Sequence, residues 1–354
     1  MTSLPQLSRR IPSLDGVRAI AVLLVINGHL QGALGHTWWS DVNFIVPPGD
    51  FGVQIFFVIS GFLITTLLLR ELDKSGRINF RAFFKRRALR IMPAFYAFII
   101  VVVGASWIFG LFEITWKNAA AAALYVLNYT PFNDSWQLGH AWSLSIEEQF
   151  YLLWPLMIIL VGRARALWVA LAGVACVFIA RVGILFVAPE SPLAAIDATH
   201  NRADALLIGC TLAILWSDSA KFRAVAGRLI GGLLPLLALL WLPLTAVCRR
   251  LFELQWSFTV GYLFDAVAVA ILLAWVIVHA DGRVGRLLNS KVMVYLGVLS
   301  YSLYLWQQPF LWSEIEGPLA NPAVRLACIF LCANISHYLV EKPFLRIKDR
   351  ASRV

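Results

Sequence analysis

The sequence predicts an all-α polytopic membrane protein of about ten transmembrane helices with both termini in the cytoplasm. Three observations predict it. Of 354 residues, 60% are hydrophobic and only 14% are charged, where soluble proteins carry about 25% charged residues. Apolar runs of about 20 residues, the length that spans a bilayer, recur from end to end. Lys and Arg concentrate in alternate connecting segments. The net charge of +10 would favour nucleic acid on a soluble protein. Here topology accounts for it, and no nucleic-acid partner is expected. The 23 Phe, 14 Trp and 9 Tyr suit aromatic belts at the two membrane interfaces.

Hydropathy marks helices over 16–34, 51–70, 92–112, 144–161, 167–188, 203–217, 229–247, 260–279, 292–312 and 322–340. An eleventh apolar stretch, 116–130, is short and holds Lys117 and Asn118. If it does not cross and the N-terminus is cytoplasmic, 23 of the 30 Lys and Arg fall on the cytoplasmic side. Lys117, Arg202, Arg249 and Arg250 face the other side, and Arg18, Arg181 and Arg325 lie within helices. If it did cross, every later loop would invert and the bias would collapse. The stretch is therefore read as re-entrant or surface-lying on the outer side. The cytoplasmic parts are then the tail 1–15, a basic loop 70–91, three shorter loops and the tail 341–354.

One membrane domain, 1–354, is expected, with no low-complexity linker and no convincing internal repeat. The first 13 residues are polar and basic, and no small-residue cleavage site follows the first apolar run. That run is expected to act as an uncleaved anchor. The five cysteines show no metal-ligand spacing with histidine and read as small apolar residues. No metal is expected.

Five clusters carry chemistry. The first helix, SLDGVRAIAVLLVINGHL, holds Arg18 and His29. Eleven steps of about 100° return to within roughly 20° of the start, so both share one face, about 16 Å apart along the axis. Ionisable groups at membrane depth face a cavity or a partner. Asp15, three residues before Arg18, is placed to pair with it. Alternatively, Arg18 snorkels to the interface and His29 merely ends the helix. The second cluster runs from His140 through Glu147 and Glu148 to Tyr151. A carboxylate there serves the helix N-terminus or orients His29. Adjacent positions point about 100° apart, and Glu148 is preferred as the partner of His29.

The third cluster is the basic loop, ending FKRRALRIMPAFY, with Arg86, Arg87 and Arg90 at helical spacing. Guanidinium forks suit phosphate, although such a loop also serves as a topological anchor on anionic lipid. The fourth is THNRAD, with Arg202 and Asp204. Two residues apart on a helix they do not face each other, so each needs a partner elsewhere. The fifth is GVLSYSLYLWQQP, where Ser300, Tyr304 and Gln307 or Gln308 make a polar stripe beside Tyr301. Such a stripe packs helices or lines a cavity.

Taken together, the strings SLDGVRAIAVLLVINGH, FFVISGFLIT, FKRRALRIMPAFY, HAWSLSIEEQFYLLWP, NRADALLIGC, SYSLYLW and VEKPF resemble the acyltransferase-3 family of membrane acyltransferases. They span Ser13 to Phe344 in the family's order. The resemblance implies a ten-helix domain in the bacterial inner membrane. It also implies transfer of an acyl group, acetyl by family default, from acyl-CoA to a hydroxyl of a carbohydrate or glycolipid such as O-antigen, lipopolysaccharide, exopolysaccharide or peptidoglycan. It makes Arg18 and His29 the essential pair and implicates Arg87 and Arg90 with them. Some members add an extracytoplasmic SGNH-type domain, and this chain looks like a stand-alone member. Gln54 and Gln307 stand where the family usually has Asp and often His.

The expected mechanism places the acetyl-CoA phosphates on Arg18, Arg86, Arg87 and Arg90, with the thioester reaching His29. His29, oriented by Glu148, is the general base on the acceptor hydroxyl, or forms a covalent acyl-histidine. Asp15, Glu147, Tyr151, Arg202, Asp204, Tyr301 and Tyr304 are read as substrate contacts. A transporter or flippase for a lipid-linked sugar is the main rival, and a purely structural membrane scaffold is a second.

Overall fold

A computed structural model describes residues 11–35, 46, 49–130, 135–187, 197–218 and 220–351. Residues 1–10, 188–196 and 352–354, among others, lie outside the described residues. Among the described residues the chain is helical, with no strand. Its main helices are α1 (Leu14–Leu34), α2 (Gly49–Ser75), α3 (Phe80–Phe109), α4 (Ala141–Val161), α5 (Arg163–Val187), α6 (Asp204–Asp218), α7 (Leu234–Trp256), α8 (Tyr262–Val278), α9 (Lys291–Trp306) and α10 (Pro322–Ser336).

Seven helical segments among the described residues are long and apolar enough to cross a membrane, and a bent pair would make eight. That differs from the ten expected helices for three physical reasons. The helices α7 and α8 form one continuous 45-residue segment, Leu234–Val278. Drawn straight it would extend about 68 Å, over twice a bilayer core of about 30 Å. It does not run straight. The backbone breaks at Glu253 (φ 46°, ψ −124°), and Trp241 Nε1 donates to Asp265 Oδ1 at 2.7 Å across the fold-back. Helix α6 has only 15 residues and bends by 114° into the helix 222–230. Helix α9 has 16 residues. The stretch 116–130 holds only the eight-residue helix Trp116–Ala123, about 12 Å long and too short to cross.

The helix α2 is apolar on every side, and such a helix belongs inside a bundle. It packs against α1, α4, α6 and α8. Small residues let it approach α6: a Cβ on Gly61 would meet Leu206 O at 1.9 Å, and one on Gly209 would meet Val58 O at 2.2 Å. The opposite pattern holds at the periphery. Ile100, Ile108, Trp168, Phe186 and Leu339 are each at least 70% exposed, an apolar surface suited to lipid and not to water.

Two local devices position the site. Asn289 pins the start of α1: its side chain accepts from Ser13 N at 2.9 Å and donates to Ser13 Oγ at 3.0 Å. Gly297 on α9 then lies so close to Asp15 that an added Cβ would meet its carbonyl oxygen at 1.9 Å. Together they seat the polar end of α1 against α9. Helix α3 begins on an Asn79 side-chain cap to Ala82 N at 2.9 Å. It ends on Gly110 in the left-handed conformation (φ 63°). Its first turns carry Arg86, Arg87 and Arg90.

Candidate active site

A cavity of about 290 Å³ opens between α1, α2, α3, α4, α9 and the π-turn His337–Glu341 that follows α10. Arg18, Arg87 and Arg90 line it, with Asp15, Glu147 and Glu341 among them. Arg18 and Asp15 are one turn apart at 3.8 Å. Arg87 leaves α3 to lie over the Tyr151 ring, 3.5 Å from its centre, a cation–π contact. Glu147 faces Arg87 and Arg18 and is hydrogen-bonded by the hydroxyls of Ser60 and Tyr151, which also touch each other. Arg90 faces Glu341 and Asp15. Glu341 in turn accepts from Ser302 and lies 3.3 Å from His337 Nδ1. The result is three guanidinium forks in one partly dry space, held by carboxylates that a stronger anion can displace.

Arg86 does not join them. It turns the other way and pairs with Glu71 at 3.0 Å, which also caps Asn79 N at 2.9 Å. Helical spacing thus does not bring all three loop arginines to one flank. Neighbouring helical positions diverge by about 100°, and the packing selects Arg87 and Arg90.

Tyr301 and Tyr304 line the same cavity from α9. Tyr301 Oη donates to Ile91 O at 2.8 Å. Tyr304 Oη donates to His140 O at 3.0 Å and lies 2.6 Å from Ser143 Oγ. One turn further along α9 stands Gln307, and here the chain reaches His29. His29 Nδ1 is 2.8 Å from Gln307 Oε1. Gln307 Nε2 is held by Gln308 Oε1 at 3.3 Å. The edge of Trp136 closes on the imidazole at 5.7 Å, and its Nε1 donates to Gln308 O at 3.1 Å. His29 is only half-buried and does not line the cavity itself.

Glu148 is not the partner of His29. The charges nearest to it are Arg87 and Glu147, and Tyr125 lies on its other side. The expected pairing of Glu148 with His29 is therefore replaced by Gln307. The signal was present in the polar stripe of α9, but nothing in the sequence set Gln307 ahead of the two glutamates.

Arg202 and Asp204 part company. Asp204 forms a fully buried ion pair with Arg181 at 2.7 Å. Arg181 also donates to Asn201 O at 3.0 Å and Phe258 O at 3.1 Å. That arrangement ties α5 to α6, away from the cavity. Arg202 instead lies 4.0 Å from the Tyr262 ring and 5.0 Å from the Trp142 ring. The third charge within a helix, Arg325, donates to the carbonyls of Trp312 and Leu319 at 2.9 and 3.0 Å. Sequence reasoning assigned no role to Asp50, Arg249 or Asp265, which form an ion-paired bridge near Arg202. Among the described residues, no group of three or more His, Cys, Asp or Glu side chains is placed to hold a metal ion.

Residues 11–313 match the family profile described as an acyltransferase domain. The chain belongs to the acyltransferase-3 family. It is 33% identical to YrhL of Bacillus subtilis over 95% of this chain and 55% of that protein. It is 31% identical to OatA of Listeria monocytogenes, a peptidoglycan O-acetyltransferase, over 94% of this chain and 55% of OatA. It is 30% identical to the Staphylococcus aureus O-acetyltransferase OatA over 95% of this chain and 57% of the relative. The chain thus spans little more than half the length of these relatives. No solved structure matches it.

Proposed function

We propose that this chain is a multi-pass enzyme of the bacterial inner membrane that moves an acetyl group from cytoplasmic acetyl-CoA to a hydroxyl of a cell-surface glycan. The observation that carries the reading is the polar track along one face of α1. Arg18 shares a cavity with Arg87 and Arg90, and His29 stands on the same face about 16 Å further along the helix. In this reading the arginines hold the donor's phosphates, and the narrow cavity admits the extended pantetheine arm. In the same reading the termini are cytoplasmic, and the arginine end of α1 lies on the donor's side.

The chemistry then follows from the hydrogen bond of His29. An amide oxygen only accepts, so Nδ1 carries the ring proton and Nε2 keeps the free pair. Nε2 takes the proton of the acceptor hydroxyl as its oxygen attacks the thioester carbonyl. The carbon–sulfur bond breaks, and the departing thiolate takes the proton back. Gln307 holds the ring in this tautomer and bears no charge. Peptidoglycan stands in the name of a relative, and we place it ahead of O-antigen, lipopolysaccharide and exopolysaccharide as the acceptor.

The test is transfer of label from radiolabelled acetyl-CoA to peptidoglycan glycan strands by the purified protein in nanodiscs. Base-labile label on the glycan is the expected result. Gradient-driven movement of a lipid-linked sugar, with no dependence on acetyl-CoA, would replace this reading with the flippase.

A further inference from the structure

A second polar cluster lies outside the lining of the arginine cavity. Tyr304, which borders that cavity, feels the charge of Glu147 and also of Asp197 and Arg202. The cluster draws Asp50 from the start of α2, Arg202 from the turn before α6, Arg249 from α7, and Asp265 and Tyr262 from α8. Arg249 bridges Asp50 and Asp265 and lies 4.8 Å from the Tyr262 ring. Its depth is fixed by a close contact of backbones. A Cβ on Gly49 would sit 3.4 Å from Gly28 Cα. Gly52 meets Ala21 and Val25 in turn, so α1 and α2 run antiparallel, and Asp50 and His29 lie within about one helical turn of each other along the axis.

Two features of the cluster point to a ligand. Arg202 is 3% exposed, yet its Nη1 finds no hydrogen-bond partner among the described residues, and neither does Arg249 Nε. A buried donor left unmade is costly, and such groups in folded proteins have partners. The charges exclude an anion as that partner. Three carboxylates, Asp50, Asp197 and Asp265, already face two guanidiniums. A ligand that offers uncharged acceptor oxygens to the guanidiniums and hydroxyl donors to the carboxylates fits, and the Tyr262 and Trp142 rings suit the apolar face of a sugar.

We propose that this cluster is the acceptor subsite. Arg202, Arg249 and Asp50 bind the hydroxyl and acetamido oxygens of a neutral sugar unit and hold it at the level of His29. The proposal rests on the acyltransferase reading and names the part of the machinery that takes the glycan.

The experiment measures binding to the full chain in nanodiscs, with tri-N-acetylchitotriose as the neutral probe, tri-galacturonate as the anionic one and acetyl-CoA as the donor. Tryptophan fluorescence reports the sugar, since Trp142 adjoins Arg202. Saturable chitotriose binding is expected, weakened about tenfold or more by Arg202→Lys, which keeps the charge and loses the fork. Asp50→Asn provides a second, less disruptive variant with the same expected direction. Absence of chitotriose binding in wild type, wild-type affinity in both variants, or preference for tri-galacturonate would overturn the subsite. Absence of acetyl-CoA binding would instead strike the acyltransferase reading, and the chitotriose result would still stand on its own.

Discussion

The Nδ1 atom of His29 lies 2.8 Å from the amide oxygen of Gln307, 278 residues away in the chain. A neutral acceptor thus sets the tautomer of the His29 imidazole. Gln307→Ala removes the acceptor and should lower kcat, but by less than the roughly 10²–10⁴-fold that a positioned general base contributes. Both KM values should stay near wild type. Gln307→Glu offers an oxygen to the same N–H and should retain more activity than Gln307→Ala. Equal losses in the two variants would show that the hydrogen bond does not position the ring.

Arg86 and Arg87 are neighbours with opposite fates, and they separate donor binding from topology. Arg87→Ala should raise the acetyl-CoA KM about tenfold or more, the cost of losing a charge-assisted contact. Arg86→Ala should move that KM less than about twofold, because Arg86 does not line the cavity and pairs with Glu71 instead. Steady-state kinetics at varied acetyl-CoA checks both. Similar KM shifts in the two would return the basic loop to a purely anchoring role.

The Arg181–Asp204 pair is buried, so removing one partner strands a charge. Asp204→Ala should destabilise the fold by about 3–5 kcal/mol, visible as a lower melting temperature in detergent. The double variant Arg181→Met with Asp204→Leu should recover much of that loss, since a packed apolar pair of similar volume replaces it. A double variant no more stable than Asp204→Ala would contradict this account.

Asp197 sits in the turn before the short helix that carries Arg202. Burial pushes its carboxyl from an ordinary value of 3.8 up to about 6, against the pull of Arg202. A raised carboxyl favours the folded state fully below the unfolded value, and this benefit is lost as pH rises through about 6. Asp197→Asn should therefore stabilise the protein at pH 7.5, by about 2–3 kcal/mol, and bring no gain at pH 4. Melting curves at the two pH values check it. A gain that is equal at both would mean that the charge of Asp197 is not the cause. A carboxylate kept charged at such a cost fits a place beside the acceptor subsite.

Much of the architecture could be read from the chain because bilayer physics is simple. Apolar length marks the spanning segments, and the stretch 116–130, set aside in the sequence, holds only an eight-residue helix too short to cross. The eleven-residue step from Arg18 to His29 is likewise a matter of helix geometry. What the sequence could not show lies in rotation and in long-range pairing. Arg86 and Arg87 differ only in which side of α3 faces α4. The partner of His29 comes from α9 and not from the nearer-looking glutamates of α4. Asp50, Arg249 and Asp265 meet only because the 45-residue segment folds back at Glu253, and no local signal foretells that.

The central claim is that His29 performs the transfer at the end of a donor cavity built on Arg18, Arg87 and Arg90. The most direct test compares wild type with His29→Ala, purified in nanodiscs, for release of free thiol from acetyl-CoA in the presence of glycan acceptor. Acetyl-CoA binding is measured in parallel. The account predicts thiol release by wild type, loss of release in the variant, and unchanged donor affinity in both. Turnover retained by His29→Ala, with the protein folded and the donor bound, would contradict it.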